Sequence, residues 1–383
     1  MPPRPYTAPT RPHTAPARPR WWWYALPAAL ILALAASLLV AWGGAGLLLT
    51  PHHSMRTSAG VVQSVSSTEV VLQRRASTLR VGTYGLEWSG GRAVVGPITH
   101  TTKSTVTRPL SDIHGSTLRA GTAVDIDPDV WPGDPESALG IPFTNVDVPD
   151  PLGPMPAWQV AGNGTTWVLF VHGIDGQRQG GLRPLQTLAK AGLPTLLITY
   201  RNDVGAPPSP NGLIHLGTTE WHDLDAAARY AVGQGAEHFI LYGDSMGGSI
   251  VTQFVHHSSY ASRVSAMVLD APVLDWAGVL QNQADRLHVG VVGPMLQTIV
   301  SVRGGIDLAS LDQLDQTGAF TMPMLLFQGL SDPLVPPAES KEFADKVGAE
   351  YVPVPHAGHI QSWNVDPTRY EKTLAAFLAR VTG

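Results

Sequence analysis

Apolar positions follow three different patterns along the chain, and each pattern predicts a different kind of structure. Residues 25–49 carry no charged side chain, and about 20 apolar residues suffice for a helix to cross a bilayer. Between residues 50 and 126, short β-branched runs separated by glycine and proline indicate a small β-rich segment. From residue 157 to residue 383, strand-like apolar runs alternate with amphipathic helical stretches.

The carboxy-terminal region, residues 157–383, has the alternation typical of an α/β fold. Strand-like runs that are apolar on both faces predict parallel strands, and the stretches between them predict helices on both sides of the sheet. We therefore expect a mostly parallel, doubly wound sheet with its functional loops at the carboxyl ends of the strands. The predicted strands are 166–172, 195–200, 238–242, 265–270, 324–328 and 350–354.

The first 156 residues are expected to contain four segments. Residues 1–20 are rich in proline and arginine and predict a disordered, basic tail. Residues 21–49 predict a transmembrane signal anchor, with the aromatic cluster at residues 21–24 at the membrane interface. Residues 50–126 form the β-rich segment, and the prolines of residues 127–156 predict an extended connector.

The arginines before residue 21 set the expected orientation. Positive charge next to a membrane helix favours the cytoplasmic side, so the amino terminus is predicted inside and the carboxy-terminal domain outside the cytoplasmic membrane. Two alternatives for the apolar run stay open. It could be a cleaved signal peptide, since Ala41, Gly43 and Ala45 are small enough for a cleavage site, or a buried helix of a soluble domain.

Composition narrows the possible chemistry. The chain has no cysteine, which excludes disulfides, cysteine-based metal sites and a cysteine nucleophile. Its formal net charge is −5, and no clustered basic face suggests a nucleic-acid partner. His52, His53, His100 and His114 lack metal-ligand spacing, so we predict neither a metal nor a cofactor.

The strongest chemical motif is G-x-S-x-G, formed by Gly243, Ser245 and Gly247 between a predicted strand and a predicted helix. A nucleophilic serine needs a very sharp turn for its oxygen to project from the sheet, and the two glycines leave room for the crowded backbone. Strand and helix on either side make the motif far more specific than the bare pattern. Ser245 is the candidate nucleophile.

A serine nucleophile needs a base and an orienting acid, which follow it in the order acid, histidine in this type of fold. Asp332 follows one predicted strand and His359 follows the next, so both loops emerge on the same edge. His356 is the alternative base. Asp270 and Asp275 are alternative acids, although a capping role suits them better.

Acyl transfer also requires hydrogen-bond donors for the oxyanion. One donor is expected to be the amide of Met246, directly after the nucleophile, and the other should come from the loop after the first strong strand. The His172-Gly173 pair in that loop resembles the usual oxyanion loop and points to the amide of Ile174. For His172 itself we expect a buried, hydrogen-bonded structural role.

Together, His172-Gly173, the motif around Ser245, the Asp332 loop and Ala357-Gly358-His359 resemble the α/β-hydrolase superfamily, in its esterase and serine-aminopeptidase-like branch. The resemblance covers residues 157–383, and two further stretches, 199–203 and 216–224, are similar to bacterial membrane-anchored members. It implies a Ser-His-Asp acyl-enzyme mechanism with water as the second substrate. Residues 272–321, where such proteins place a cap, are compatible with an apolar half-lid or with ordinary packing.

We therefore predict a serine hydrolase that cleaves a carboxylic ester of a small or lipid-like acyl substrate, with the bilayer bound through residues 21–49. A serine peptidase or aminopeptidase and an acyltransferase are the enzymatic alternatives. A catalytically inert, membrane-tethered interaction domain is the alternative of a different class, because a fold does not by itself establish a function.

Overall fold

The computed structural model describes Met1, Pro3, residues 22–52 and residues 60–383. The predicted basic tail, apart from Met1 and Pro3, lies outside the described residues. Helix α1 (Trp22–Leu49) is the first element, and its segment Tyr24–Leu49 is long and apolar enough to cross a membrane, with a mean hydropathy of 2.3. A membrane anchor and a signal sequence share these two properties.

Helix α1 has two parts that differ in their surroundings. Most side chains from Tyr24 to Val40 are exposed although nearly all are apolar. Ala41, Ala45 and Leu49 are buried, and the last two belong to the main hydrophobic core. The end of this helix is therefore an integral part of the folded domain.

The predicted β-rich segment is a small closed barrel. Its strands run in the spatial order β2-β1-β7-β3-β4-β6, and β6 pairs back with β2 to close it, with β5 added beside β6. Alternate side chains fill the interior, among them Leu72, Tyr84 and Leu86. The strands are β1 (Gly60–Val65), β2 (Glu69–Gln73), β3 (Tyr84–Trp88), β4 (Gly91–Val95), β5 (His100–Thr101), β6 (Thr105–Gly115) and β7 (Ala123–Asp127).

The predicted α/β sheet is confirmed and has eight strands in the order β15-β14-β13-β12-β10-β11-β9-β8. Six neighbouring strands are parallel, and the last two are antiparallel to their neighbours. Its strands are β8 (Thr144–Val148), β9 (Met155–Val160), β10 (Thr166–Val171), β11 (Thr195–Ile198), β12 (His238–Asp244), β13 (Val264–Asp270), β14 (Met324–Gly329) and β15 (Glu350–Val354).

Helices cover both faces of this sheet and bury two separate apolar clusters. Strand residues alternate between the clusters, since Leu169 faces one and Phe170 the other. The helices are α2 (Pro135–Leu139), α3 (Leu182–Lys190), α4 (Trp221–Gly233), α5 (Met246–His257), α6 (Trp276–Arg286), α7 (Gly293–Gly304), α8 (Pro337–Val347), α9 (Ser362–Val365) and α10 (Pro367–Thr382).

Residues 127–156 differ from the extended connector that the prolines predict. They contain α2, and their last part forms β8 and the start of β9, which pair as an antiparallel hairpin at the edge of the main sheet. An edge strand tolerates nearby prolines because one side of its ladder needs no donors. The Asp150 side chain, which accepts from the Leu152 amide at 2.8 Å, orders the turn between the strands.

Candidate active site

Ser245 lies on the sharp turn between β12 and α5. Its backbone has φ 53° and ψ −118°, a conformation that costs a non-glycine residue on the order of 1–3 kcal/mol and persists only where surrounding structure enforces it. A Cβ on Gly243 would come within 2.7 Å of the Gly247 carbonyl carbon, and one on Gly247 would collide with the Val171 carbonyl oxygen. The two glycines therefore permit the turn, and the turn aims the serine at the sheet's edge.

Three distant loops bring Ser245, His359 and Asp332 together. The Nε2 atom of His359 lies 2.7 Å from Ser245 Oγ, and its Nδ1 atom lies 2.9 Å from Asp332 Oδ2. The other oxygen of Asp332 accepts from the amides of Leu334 at 2.8 Å and Val335 at 3.1 Å. The carboxylate is thus held in place, and the imidazole bridges it to the serine hydroxyl.

The contacts of His359 determine what it can do with a proton. An ionised carboxylate only accepts hydrogen bonds, so the nitrogen facing Asp332 carries the hydrogen. The Nε2 lone pair then faces the Ser245 hydroxyl and accepts from it. A neutral imidazole in this tautomer is ready to take the serine proton.

The alternative base and acids lie elsewhere. His356 is exposed, with φ 65°. Asp275 caps α6 by accepting from the amides of Ala277 and Gly278, and Asp270 accepts from Ser362 Oγ at 2.8 Å. The structure therefore brings none of the three into the position that His359 or Asp332 occupies.

The loop after β10 presents the Ile174 amide through its preceding peptide group. The Gly173 carbonyl accepts from His172 Nδ1 at 2.9 Å, from the Tyr200 hydroxyl at 2.8 Å and from the Gly176 amide at 3.1 Å. In a trans peptide the N–H points opposite to the C=O, so fixing this carbonyl also fixes the direction of the Ile174 N–H.

Two further features support an oxyanion site at this point. Met246 is the first residue of α5, and the first amides of a helix have no partner within it. A Cβ on Gly173 would lie 2.8 Å from Ser245 Cβ, so only glycine lets this loop approach the serine so closely. Of the two predicted donors, Met246 directly follows Ser245 in the chain, and Ile174 lines the same cavity as Ser245.

His172 forms a second Asp–His pair, with Asp203. Its Nε2 atom lies 2.9 Å from Asp203 Oδ2, and the ring stacks on Tyr200 with centroids 4.5 Å apart. Because a carbonyl and a carboxylate both only accept, each ring nitrogen must carry a hydrogen. Burial by itself lowers the pKa of His172, but Asp203 and the Gly173 carbonyl outweigh it and raise the pKa.

The stretch Tyr200-Arg201-Asn202-Asp203 supports the oxyanion loop from behind. Arg201 and Asp203 do not pair with each other, although their closeness in the sequence favours such a pair. Arg201 binds Asp223 through two side-chain bonds of 2.9 and 2.7 Å, whereas Asp203 also accepts from the Tyr200 amide at 2.7 Å. Asp203 is therefore free of Arg201 and available to His172.

A cavity of about 150 Å³ opens beside Ser245 and His359 and is also lined by Asp129, Arg183 and Asp244. Arg183 is buried and lies 3.3 Å from Asp244 and 3.6 Å from Asp129. Burial lowers the pKa of Arg183, but Asp129, Asp244 and Asp270 outweigh it and raise the pKa. The side chain of Asp244, next to the nucleophile in sequence, is thus paired across the fold.

The barrel contributes to the site in a way that the sequence does not reveal. Tyr84 donates to Gln361 Oε1 at 3.1 Å, and the Thr83 amide donates to the Asn364 carbonyl at 2.8 Å. Both partners follow His359 within five residues of the chain. These contacts join residues about 280 positions apart, and neither end carries a motif that would signal them.

Two family models match separate parts of the chain. The Prolyl oligopeptidase family matches residues 210–383, and a domain of unknown function (DUF8805) matches residues 61–127, which are the barrel. No curated protein is significantly similar to the chain in sequence. The first match contains Ser245, Asp332 and His359, and the second covers the barrel as a separate unit.

Solved structures are similar in fold. The Pyrococcus furiosus esterase Pf2001 is 19% identical, with a TM-score of 0.53, over 66% of this chain and 96% of its own. A thermophilic esterase from Thermogutta terrifontis is 20% identical, with a TM-score of 0.47, over 63% of this chain and 99% of its own. At 19% identity, the likeness to Pf2001 concerns the fold alone.

The strand order with its antiparallel edge, the strained serine turn and the match to the Prolyl oligopeptidase family agree with one another. They describe the same domain from topology, local geometry and sequence. Residues 144–383 therefore have the α/β-hydrolase fold, and this domain carries the side-chain arrangement of a serine hydrolase.

Proposed function

We propose that the chain is a serine carboxylic-ester hydrolase that works outside the cytoplasmic membrane, anchored by α1. The observation that carries the catalytic part is the continuous chain of bonds from Asp332 through His359 to Ser245. In this arrangement the imidazole removes the hydroxyl proton as the oxygen attacks the acyl carbon. Asp332 stabilises the imidazolium that forms.

The remaining steps use the same groups. The amides of Ile174 and Met246 donate to the oxyanion of the tetrahedral intermediate. His359 then gives its proton to the departing alcohol, and the acyl group stays on Ser245 as an ester. Water, deprotonated by His359, attacks this ester and releases the carboxylic acid and the free serine.

The cavity favours an ester over a peptide with a free amino terminus. Such a terminus is a cation and needs an available carboxylate. The two carboxylates that line the cavity, Asp129 and Asp244, both already face Arg183. An amino terminus would have to compete with this buried guanidinium, whereas an uncharged acyl group would not.

A serine peptidase is the second candidate, because the family model that matches residues 210–383 is the Prolyl oligopeptidase family. A comparison of nitrophenyl acyl esters with aminoacyl nitroanilides separates the two activities. We expect kcat/KM to be larger for the esters. A larger kcat/KM for the aminoacyl nitroanilides would identify a peptidase, provided that Asp129→Asn abolishes this preference.

The contacts at the end of α1 support a retained anchor rather than a cleaved leader. The Leu49 carbonyl accepts from the Ile214 amide at 2.8 Å, and the His52 amide donates to Asp175 at 2.7 Å, one residue after Ile174. Removal of the helix would expose the core positions that Ala45 and Leu49 fill.

Labelling with a fluorophosphonate tests the proposal directly. We expect the folded full-length protein to be labelled at Ser245, and Ser245→Ala to lose both the label and ester hydrolysis. A cell-impermeant form of the probe should label intact cells. Absence of labelling in the folded protein would contradict the proposed serine-hydrolase activity. Labelling only after cell lysis would contradict the proposed location outside the cytoplasmic membrane.

A further inference from the structure

The cap, residues 272–321, is joined to the end of α1. A Cβ on Gly44 would lie 3.3 Å from Leu296 Cδ1, so the absence of a side chain lets α7 approach closely. Further along, Leu49 Cδ1 lies 3.5 Å from the position of a Cβ on Gly304. Because both sets of residue numbers rise together, α7 runs in the same direction as α1.

The parallel course of α1 and α7 indicates where the start of α7 lies. The turn at Gly290–Val292, which precedes α7, contacts α1 and must meet it before Gly44. The exposed part of α1, from Tyr24 to Val40, is about 25 Å long at 1.5 Å per residue, close to the roughly 30 Å of a bilayer's hydrocarbon core. If α1 spans a bilayer, the bilayer surface next to the folded domain lies at the level of this turn.

The turn exposes large apolar side chains at this level. Between residues 60 and 383, Val291 has the most exposed large apolar side chain, at 93%, and Leu287 reaches 72%. Pro294 is exposed on the first turn of α7, and no residue from Val289 to Val302 is charged. We call Leu287, Val291 and Pro294 the cap elbow.

The cap elbow is connected to the entrance of the candidate site through α6. Side-chain amides of Asn282 and Gln283 donate to the carbonyls of Pro333 and Leu334 at 2.8 to 3.4 Å. The Leu334 side chain lines the cavity beside Ser245. One helix thus separates the exposed apolar elbow from the opening.

We propose that the cap elbow inserts into the lipid interface beside α1 and that the enzyme receives a membrane-dissolved ester there. The proposal rests on the anchor and the hydrolase proposed above. Exposed apolar side chains without charges bind at the boundary between headgroups and acyl chains. The long Arg303 side chain reaches back along α1, so that its guanidinium donates to the Trp42 carbonyl at 3.3 Å, and a tryptophan with a guanidinium beside it suits the headgroup level.

Fluorescence from single cysteines tests this placement, because the chain has no cysteine of its own. The full chain is labelled with nitrobenzoxadiazole at Val291→Cys and reconstituted into phosphatidylcholine vesicles, with or without a nitroxide on the acyl chain. Val302→Cys is the matched control, an exposed valine about 16 Å further along α7. Leu32→Cys on α1 reports insertion of the anchor.

We expect blue-shifted emission and quenching by the nitroxide at position 291, with position 302 quenched clearly less. Quenching at position 32 without any at position 291 would overturn the proposal. So would a blue shift at position 291 that the nitroxide does not quench, since protein would then cover the elbow. Loss of quenching at position 32 would overturn both the anchor and the elbow.

Activity gives a second measurement that separates this proposal from the hydrolase itself. We expect Val291→Asp to hydrolyse a long-chain ester in vesicles about tenfold more slowly, because a buried charge opposes insertion. Hydrolysis of a soluble short-chain ester should be unchanged, as should both activities of Val302→Asp. An equal effect on both substrates would contradict uptake from the membrane, and no activity in wild-type protein would contradict the hydrolase alone.

Discussion

In the described part of the chain, two Asp–His pairs lie close to Ser245, and both have a separation of 2.9 Å. In one pair His359 meets Asp332, and in the other His172 meets Asp203. The His172 side chain is 2% exposed and that of His359 is 14% exposed. Because both rings face a carboxylate, the difference between them must come from the hydrogen-bond partner of the second ring nitrogen.

The partner of the second nitrogen assigns each ring a different protonation state. His359 Nε2 faces a hydroxyl, which has a proton to give, so this ring has the contact that the proposed base requires. His172 Nδ1 faces the Gly173 carbonyl, which only accepts, so this ring is an imidazolium and acts as a fixed donor. An Asp–His pair therefore identifies a base only when the partner of its other nitrogen is known.

The largest expected effect comes from the ring that faces the serine. His359→Gln should lower kcat for a soluble ester by about 10⁴-fold or more, since the serine then has no base. His356→Gln is the matched control in the same loop and should retain wild-type kcat. The check is steady-state hydrolysis of a nitrophenyl ester; loss of activity in the control instead would assign the base to His356.

The next largest effects are expected from substitutions of the two aspartates, and these effects should differ in size. Asp332→Asn should lower kcat by about 10³- to 10⁴-fold, because the imidazole loses the tautomer that accepts the serine proton. Asp203→Asn should lower kcat only about 10- to 100-fold, through the orientation of the Ile174 amide. It should also cost about 3 kcal/mol of unfolding free energy, because a buried charged partner is left unpaired.

Kinetics and urea denaturation of both variants check this order. A positioning role for Asp203 predicts a lower kcat with an unchanged KM in the fraction that is folded. If Asp203→Asn changed stability alone, with wild-type kcat in the folded protein, the pair would not orient the oxyanion loop. If it matched Asp332→Asn in kcat, the distinction between the pairs would fail.

The smallest expected effect is on the pH dependence of stability. The pKa of His172 is raised in the folded state, so above its ordinary value near 6.5 the folded chain holds more protons than the unfolded one. Stability from this group is therefore full below about pH 6.5 and falls as the pH rises through the folded pKa. A tenfold difference in proton affinity between the two states corresponds to about 1.4 kcal/mol.

The measurement compares unfolding free energies of wild type and His172→Gln between about pH 5.5 and 8.5 at constant salt. We expect the difference between the two proteins to shrink as the pH rises. A difference that instead grew as the pH rose would mean that His172 is neutral in the fold, and its contrast with His359 would then lie in packing alone.

Local sequence was sufficient for the fold class and for the residues around Ser245. The apolar strand before Ser245 and the glycines on either side of it predict a sharp backbone turn that few other residues permit. The structure has this turn. The β-rich segment was also recognisable from its short strands, but its closure was not. Closure depends on β2 pairing with β6, which lies more than 30 residues away.

Other features could not be predicted because their partners are remote. Nothing near Asp203 in the sequence indicates that it binds His172 rather than Arg201, since the choice depends on how β10 and β11 lie side by side. The prolines of this region led us to predict a connector in place of the edge hairpin of residues 144–160. Proline usually argues against a strand, but an edge strand tolerates it because one side of the strand is not hydrogen-bonded.

By itself the sequence determined the six parallel strands of the main sheet, the apolar helix, the order of serine, acid and histidine, and the absence of cysteine chemistry. These follow from spacing and residue type, which act over a few positions. Only the tertiary structure decided which histidine faces the serine, that the barrel contacts the loop after His359, and that α1 ends in the core. Each of these depends on contacts between residues far apart in the chain, which form only when the whole fold closes.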